Sequence, residues 1–314
     1  MMTYSQFVEY LEIHKDEYIP DNVDASIRTK KQNNGVLQDG WALMDKESSI
    51  DMPLMLYFRD LYGEFSQSNV EINIFLKEKI SNLADTVRQK SLDSITDHIF
   101  LRIVNAEKNQ KMLQDYPCRQ ISDFIVTYRL LVLQDQEGIG SLLVDHDLAK
   151  STGLSEEQLY QRALKNTEKL FPVKFGNLQD VMVKSQISGH VEVGDEIHVD
   201  KNDPLPAYIL SNQNCINGAT SILYPKVQEE LKREFPDGYY VIPSSIHELL
   251  LVDNSFVQTP EDLYKLKAGV MEVNYTILNP EEFLSDEIYQ VKGPDFKLER
   301  ANMPKIQREK KVER

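Results

Sequence analysis

Residues 124–134, Phe-Ile-Val-Thr-Tyr-Arg-Leu-Leu-Val-Leu-Gln, constrain the fold more than any other stretch of this chain. The run is rich in β-formers and nearly continuous in apolar side chains, the pattern of a central strand covered on both faces. An acidic, glycine-closed turn follows, Asp135-Gln136-Glu137-Gly138, and then a second apolar run, Ile139 to Val144. The two runs predict an antiparallel hairpin. Downstream, Ser155 is a helix cap with Glu156 and Glu157 in the first turn, and Leu159, Tyr160, Ala163, Leu164 and Leu170 share the inward face.

The same alternation of strand and helix patterns recurs along the chain. Tyr4, Phe7, Val8, Leu11 and Tyr18 have helical spacing, and Pro20 closes the helix. Ala25 to Lys31 and Val36 to Met44 read as strands joined at Gln32-Asn33-Asn34-Gly35, since Asn-Gly adopts positive φ cheaply. Residues 52–57 are a third short strand, followed by helical stripes at Phe58, Leu61, Tyr62 and Phe65 and over residues 70–89. Residues 99–104 read as a strand, and Asn105 to Asn109 as the opening of a short helix ending before Pro117.

In the second half, Ala207 to Leu210 predicts a strand, Ser211 to Gly218 a polar turn, and Ala219 to Tyr224 a returning strand. Pro225 then opens a helix striped by Val227, Leu231 and Phe235. Gly140–Val144 and Thr220–Tyr224 occupy corresponding positions, so two hairpin-helix units could form a pseudo-symmetric internal repeat. Strands at Tyr239–Ile242 and Glu248–Val252 flank the bend Pro243-Ser244-Ser245. Thr259 caps a last helix with Pro260 at its first position and Leu263, Leu266, Val270 and Val273 expected toward the core.

These patterns add up to an α+β fold of antiparallel hairpins covered by helices. The expected organisation is residues 1–90 as an N-terminal helix, hairpin and helices, and 91–292 as the main region with a polar hairpin insert at about 184–206. The basic tail, 293–314, is expected to lack regular structure.

Composition narrows the function classes. Fifty acidic against 35 basic side chains give a formal charge of -15, which argues against generic nucleic-acid binding by the body, because that affinity comes from Lys and Arg on phosphates. The last 22 residues carry a net +3, so the rest of the chain carries -18. Met1 to Phe7 has no basic n-region or apolar run, so no signal peptide is expected, and nothing approaches the ~20 apolar residues of a membrane span. Cys118 and Cys215, far apart in sequence, fit reduced thiols, and a cytoplasmic location is expected. The expected partner is a protein, with no cofactor and no membrane.

The run Tyr239-Tyr-Val-Ile-Pro243-Ser-Ser-Ile-His247-Glu-Leu-Leu-Leu-Val252 resembles the most recognisable block of an uncharacterised bacterial family, domain of unknown function 5688. Asn105-Ala-Glu-Lys-Asn109, Ala207–Asn212 with Gly218–Pro225, Glu272-Val-Asn274 and Leu284-Ser-Asp286 are similar to its other blocks in the same order. The resemblance spans roughly residues 1–292. It implies an intracellular protein of Gram-positive bacteria, often encoded near mobile elements, and it implies no activity.

Two constellations could carry chemistry. Ser244, Ser245, His247 and Glu248 supply a hydroxyl, an imidazole and a carboxylate, the parts of a nucleophile, base and orienter. On a strand, however, Ser245 and His247 share a face while Glu248 points away, so a local relay needs a bend, and hydroxyls after Pro243 commonly bond the turn backbone. A binding role fits this block better than catalysis. In His190-Val-Glu-Val-Gly-Asp-Glu-Ile-His-Val-Asp200, a three-residue loop would put His190, Glu192, His198 and Asp200 on one face, a set able in principle to hold a metal. The bland reading of that hairpin is a solvated polar face.

No phosphate loop, His-Glu-x-x-His, Gly-x-Ser-x-Gly or Cys-x-x-Cys occurs. The leading expectation is a non-enzymatic intracellular interaction or regulatory protein. The alternatives are a hydrolase or metal-dependent enzyme at one of these two places, and an acidic inhibitor that mimics nucleic acid.

Overall fold

The computed structural model describes residues 2–46, 53–89, 95–134, 139–181, 194, 196–200, 206–293 and 295–303. The chain divides into two compact units, Met1–Ser94 and Ile95–Arg314.

In the first unit, helix α1 (Tyr4–Ile13) starts from a capping box in which Thr3 and Gln6 satisfy each other's backbone N–H groups. A single turn, α2 (Lys15–Tyr18), continues it. Strands β1 (Val23–Lys31), β2 (Leu37–Asp45) and β3 (Leu54–Tyr57) form an antiparallel sheet in that order. The β1–β2 turn is where the Asn-Asn-Gly signal put it, with Asn34 and Gly35 at φ 57° and 78°. Gly40 lets β3 approach β2, since a Cβ there would run into the Leu56 carbonyl. Helices α3 (Phe58–Gln67) and α4 (Ile72–Gln89) complete the unit. Its core gathers Phe7, Leu11, Trp41, Phe58, Leu61 and Leu76 from both helices and sheet.

The second unit opens with α5 (Ile95–His98), β4 (Ile99–Asn105) and α6 (Met112–Asp115). Then come β5 (Cys118–Ile121), β6 (Phe124–Gln134) and β7 (Ile139–Leu143). β6 is central, with β4 along one edge and β5 and β7 in tandem along the other. Ile125, Val126, Thr127, Tyr128, Leu130 and Leu131 are all buried, so both faces of this strand are covered as its composition requires.

Helices α7 (His146–Ser151) and α8 (Glu156–Leu170) follow, capped by Asp145 and Ser155. α8 closes the free edge of β4, where the Leu101 N–H donates to Thr167 Oγ1 at 2.8 Å.

A second, six-stranded antiparallel sheet is built from β8 (Val173–Asn177), β9 (Ala207–Asn212), β10 (Tyr239–Ile242), β11 (Leu249–Asp253), β12 (Tyr289–Val291) and β13 (Glu299–Arg300). Its spatial order is β13-β12-β10-β11-β9-β8. Helix α9 (Pro225–Glu234) buries Val227 and Leu231. Helix α10 (Pro260–Thr276), capped by Thr259, sends Leu263 and Val270 into a cluster with Ala207, Ile242, Val252 and Ile288. The architecture is α+β.

The expected returning strand at 219–224 is corrected to a fully buried 3-10 helix, Gly218–Leu223. β9 already has β8 on one edge and β11 on the other, so no edge is left for a returning strand. Asn217, at φ 55°, turns the chain out of the sheet, and the Ser221 hydroxyl donates to the Ser211 carbonyl at 3.0 Å. With no second hairpin, the proposed internal repeat is not confirmed. Val273, expected in the core, is 39% exposed.

Candidate functional site

The polar block after β10 is a bend. Pro243 cannot extend the ladder, and the Ser245 N–H donates to the Glu248 carbonyl at 3.2 Å, which closes the β10–β11 connection. The bend also brings Glu248 back beside Ser244, whose hydroxyl donates to its Oε1 at 3.1 Å. Ser245 is buried, and its Oγ accepts the His247 N–H at 2.9 Å.

His247 is held on three sides. Its Nδ1 accepts the backbone N–H of Asn217 at 3.1 Å, which places its proton on Nε2. Its carbonyl accepts the Ser211 hydroxyl at 2.7 Å. Nε2 faces Glu282 Oε1 at 3.7 Å, and the Glu282 carbonyl accepts the Ile246 N–H at 2.8 Å. The neighbouring His247 ring, with help from Asn279 and against the effect of burial, holds the Glu282 carboxyl below its ordinary value.

Of the four, Ser244 and Glu248 pair side chain to side chain, Ser245 holds the His247 backbone N–H, and the imidazole turns to Asn217 and Glu282, so the block does not form a nucleophile and its base. The nitrogen that would take a hydroxyl proton is engaged by a backbone N–H, and each serine hydroxyl is hydrogen-bonded within the bend. Glu282, the group nearest the imidazole tip, is 35 positions from His247, and no local motif announces it.

Of the metal-type set, His190 and Glu192 lie outside the described residues. His198 is 81% exposed and its Nδ1 sits 3.5 Å from Glu234 Oε2. Asp200 is also exposed, whereas Ile197 and Val199 between them are buried. Among the described residues no group of three or more His, Cys, Asp or Glu side chains could hold a metal ion.

A second feature borders the bend. Between α10 and the β10–β11 ladder lies a groove of about 550 Å³. Ile242, Leu250, Phe256, Leu266 and Val270 give it apolar walls, and Ser244 forms one edge. Asp262 and Lys265 stand at its mouth, 3.9 Å apart.

Asn274 closes the far end. Its amide donates to the Ser285 carbonyl at 3.1 Å and to Asp286 Oδ1 at 2.9 Å, and its Oδ1 is buried with no partner among the described residues. At Gly269 a Cβ would meet nothing within 4 Å, so the groove runs up to the helix backbone there. The apolar surface continues past it: Val273 on the groove is 39% exposed, and Ile277, one turn on, is 78% exposed.

The sequence reading missed this groove because its walls come from three separated segments. One signal was legible, a glycine in mid-helix beside an apolar stripe, where Ala would be about 1 kcal/mol better for the helix alone.

Residues 4–292 match the family described as Family of unknown function (DUF5688). The chain belongs to this family. The match contains the bend and the whole of α10 and ends just beyond β12, so the family segment includes every wall of the groove. No curated protein and no solved structure matches the chain. Among the described residues no helix is long and apolar enough to cross a membrane.

Proposed function

We propose that this chain acts by binding rather than by catalysis, taking an apolar segment of a protein partner into the groove under α10. The observation that carries the reading is the continuity of the groove with exposed apolar surface. Its volume falls in the range that recognises ligands, and its walls are apolar with a few polar groups at the ends. It does not stop where a small molecule would be enclosed. Val273, which lines the groove, and Ile277, one turn on, extend it along the helix. A groove followed by exposed apolar side chains on the same helix face is the usual mark of a protein contact.

The overall charge of -15 favours a partner segment whose apolar anchors are flanked by Lys and Arg, because opposite charge speeds encounter and suppresses wrong partners. The setting is intracellular and the role regulatory, a view supported by the two free cysteines.

Selection of peptides from a random library on the full chain tests the proposal. The expected winners carry apolar residues at helical or strand spacing with basic flanks. They lose at least tenfold in affinity for Gly269→Trp, whose side chain fills the groove while the far-UV spectrum stays unchanged. Winners that bind Gly269→Trp as well as the wild type would overturn the reading. So would winners whose binding is lost on removal of residues 304–314 alone, which would assign the contact to the end of the basic tail.

A further inference from the structure

The four-stranded sheet carries an unexplained pair of cations. On β4, Phe100, Arg102 and Val104 share one face, and the register sets Arg102 opposite Thr127 and Phe100 opposite Arg129 of β6. Arg102 and Arg129 therefore occupy diagonal positions on one face, their backbones on the order of 7–8 Å apart. Phe100, Val104 and Ile125 around them are buried. Arg129 is engaged, its Nε donating to Ser141 Oγ at 2.8 Å and Nη2 to the Ser141 carbonyl at 2.9 Å.

Arg102 is different. Its Nε is buried and, among the described residues, has no hydrogen-bond partner. Burial, and then repulsion from Arg129, lower its pKa to about 9, with Glu281 opposing through space.

A guanidinium whose Nε is buried without an acceptor, on a residue that is only partly exposed, and that faces a second cation is a costly arrangement for folding alone. An apolar residue of similar volume would serve the sheet as well. The planar fork of arginine is suited to gripping oxyanions, and a partly desolvated one grips them more strongly than one in open water. We propose that Arg102, with Arg129 beside it, binds the oxyanion of a ligand, a phosphate or a carboxylate, at this face of the sheet. The anion accepts hydrogen bonds from Arg102, while Arg129 stays on Ser141 and contributes charge. Neither arginine lines the groove under α10, so this site is independent of the binding role proposed above.

Thermal unfolding and calorimetry on the full chain test it, with inorganic phosphate and acetate as probes and chloride at matched ionic strength as control. A saturable rise in Tm with phosphate or with acetate, absent in chloride, is expected, and the comparison of the two probes identifies the oxyanion class. Arg102→Met should be at least as stable as the wild type without anion, and should bind the effective probe at least tenfold more weakly. No saturable response to either probe, or equal affinity in Arg102→Met, would overturn the site. Should Arg102→Met fail to fold, the Arg102 side-chain Nε signal of ¹⁵N-arginine-labelled wild type decides. Movement with the oxyanion but not chloride supports the site, and a stationary signal overturns it.

Discussion

The bend at residues 243–248 and the groove under α10 share Ser244 and little else. In the bend, each polar group that attracts attention is engaged: Nδ1 of His247 by Asn217, Ser245 Oγ by the His247 N–H, the Ser244 hydroxyl by Glu248. In the groove the apolar walls are open, and the Asn274 oxygen is unpartnered among the described residues. The residues richest in chemistry thus hold the fold, and the chemically plain ones offer a surface. Where side chains are satisfied by one another, their reactivity is already committed, whereas unburied apolar area keeps free energy in reserve for a partner.

Substitutions can break or sharpen this contrast. The largest effect is expected at Gly218, where a Cβ would overlap Ser211 Oγ and the His247 carbonyl. Gly218→Ala should cost about 3 kcal/mol in urea unfolding, by forcing apart the segments that hold the bend. A loss within experimental error would show that the bend is looser than described.

His247→Ala comes next. It leaves the Asn217 N–H without an acceptor, at about 2 kcal/mol, and should leave affinity for groove-selected peptides unchanged. Peptide binding lost in proportion to stability would erase the distinction between the two regions.

In the groove the sign reverses. Gly269→Ala should stabilise by about 0.5 kcal/mol, because the added methyl meets open space and the helix gains. A destabilised variant would mean that the groove is narrower in solution.

The smallest effect is a pH dependence. Because the Glu282 carboxyl is held below its ordinary value of 4.5, its contribution is complete above that value and is lost as pH falls through the lower folded-state value. Below about pH 4.5 the wild type should therefore lose urea resistance more steeply than Glu282→Gln. Parallel curves would remove Glu282 from the bend's electrostatics.

Much of the fold was legible in the sequence, because local signals decided it. The apolar run at 124–134 is central and doubly covered, and Asn34-Gly35, Ser155, Thr259 and Pro225 stand where turn and cap chemistry put them. The failure at 219–224 has a non-local cause. Its apolar residues suit a strand, but both edges of β9 are filled by chain distant in sequence, and only the completed sheet reveals that. The candidate site divides the same way. The bend was visible as a cluster of reactive residue types, yet its chemistry is set by Asn217 and Glu282, which no spacing rule connects to His247. The groove was invisible because it is a space between elements and has no motif.

Asn177 and Tyr208 lie opposite one another across β8 and β9, and between them Gly194 touches the sheet again, its carbonyl accepting the Phe175 N–H at 2.8 Å. Lengthening a segment with fixed, adjacent ends carries little entropic penalty, about 0.6 kcal/mol for each doubling. Added length between Asn177 and Ala207 should therefore cost the sheet little. The described residues from His190 to Asp200 are tied down within that segment, with Ile197 and Val199 buried and the Val199 N–H donating to Glu234 Oε2 at 3.1 Å, so new length is tolerated only outside these anchors.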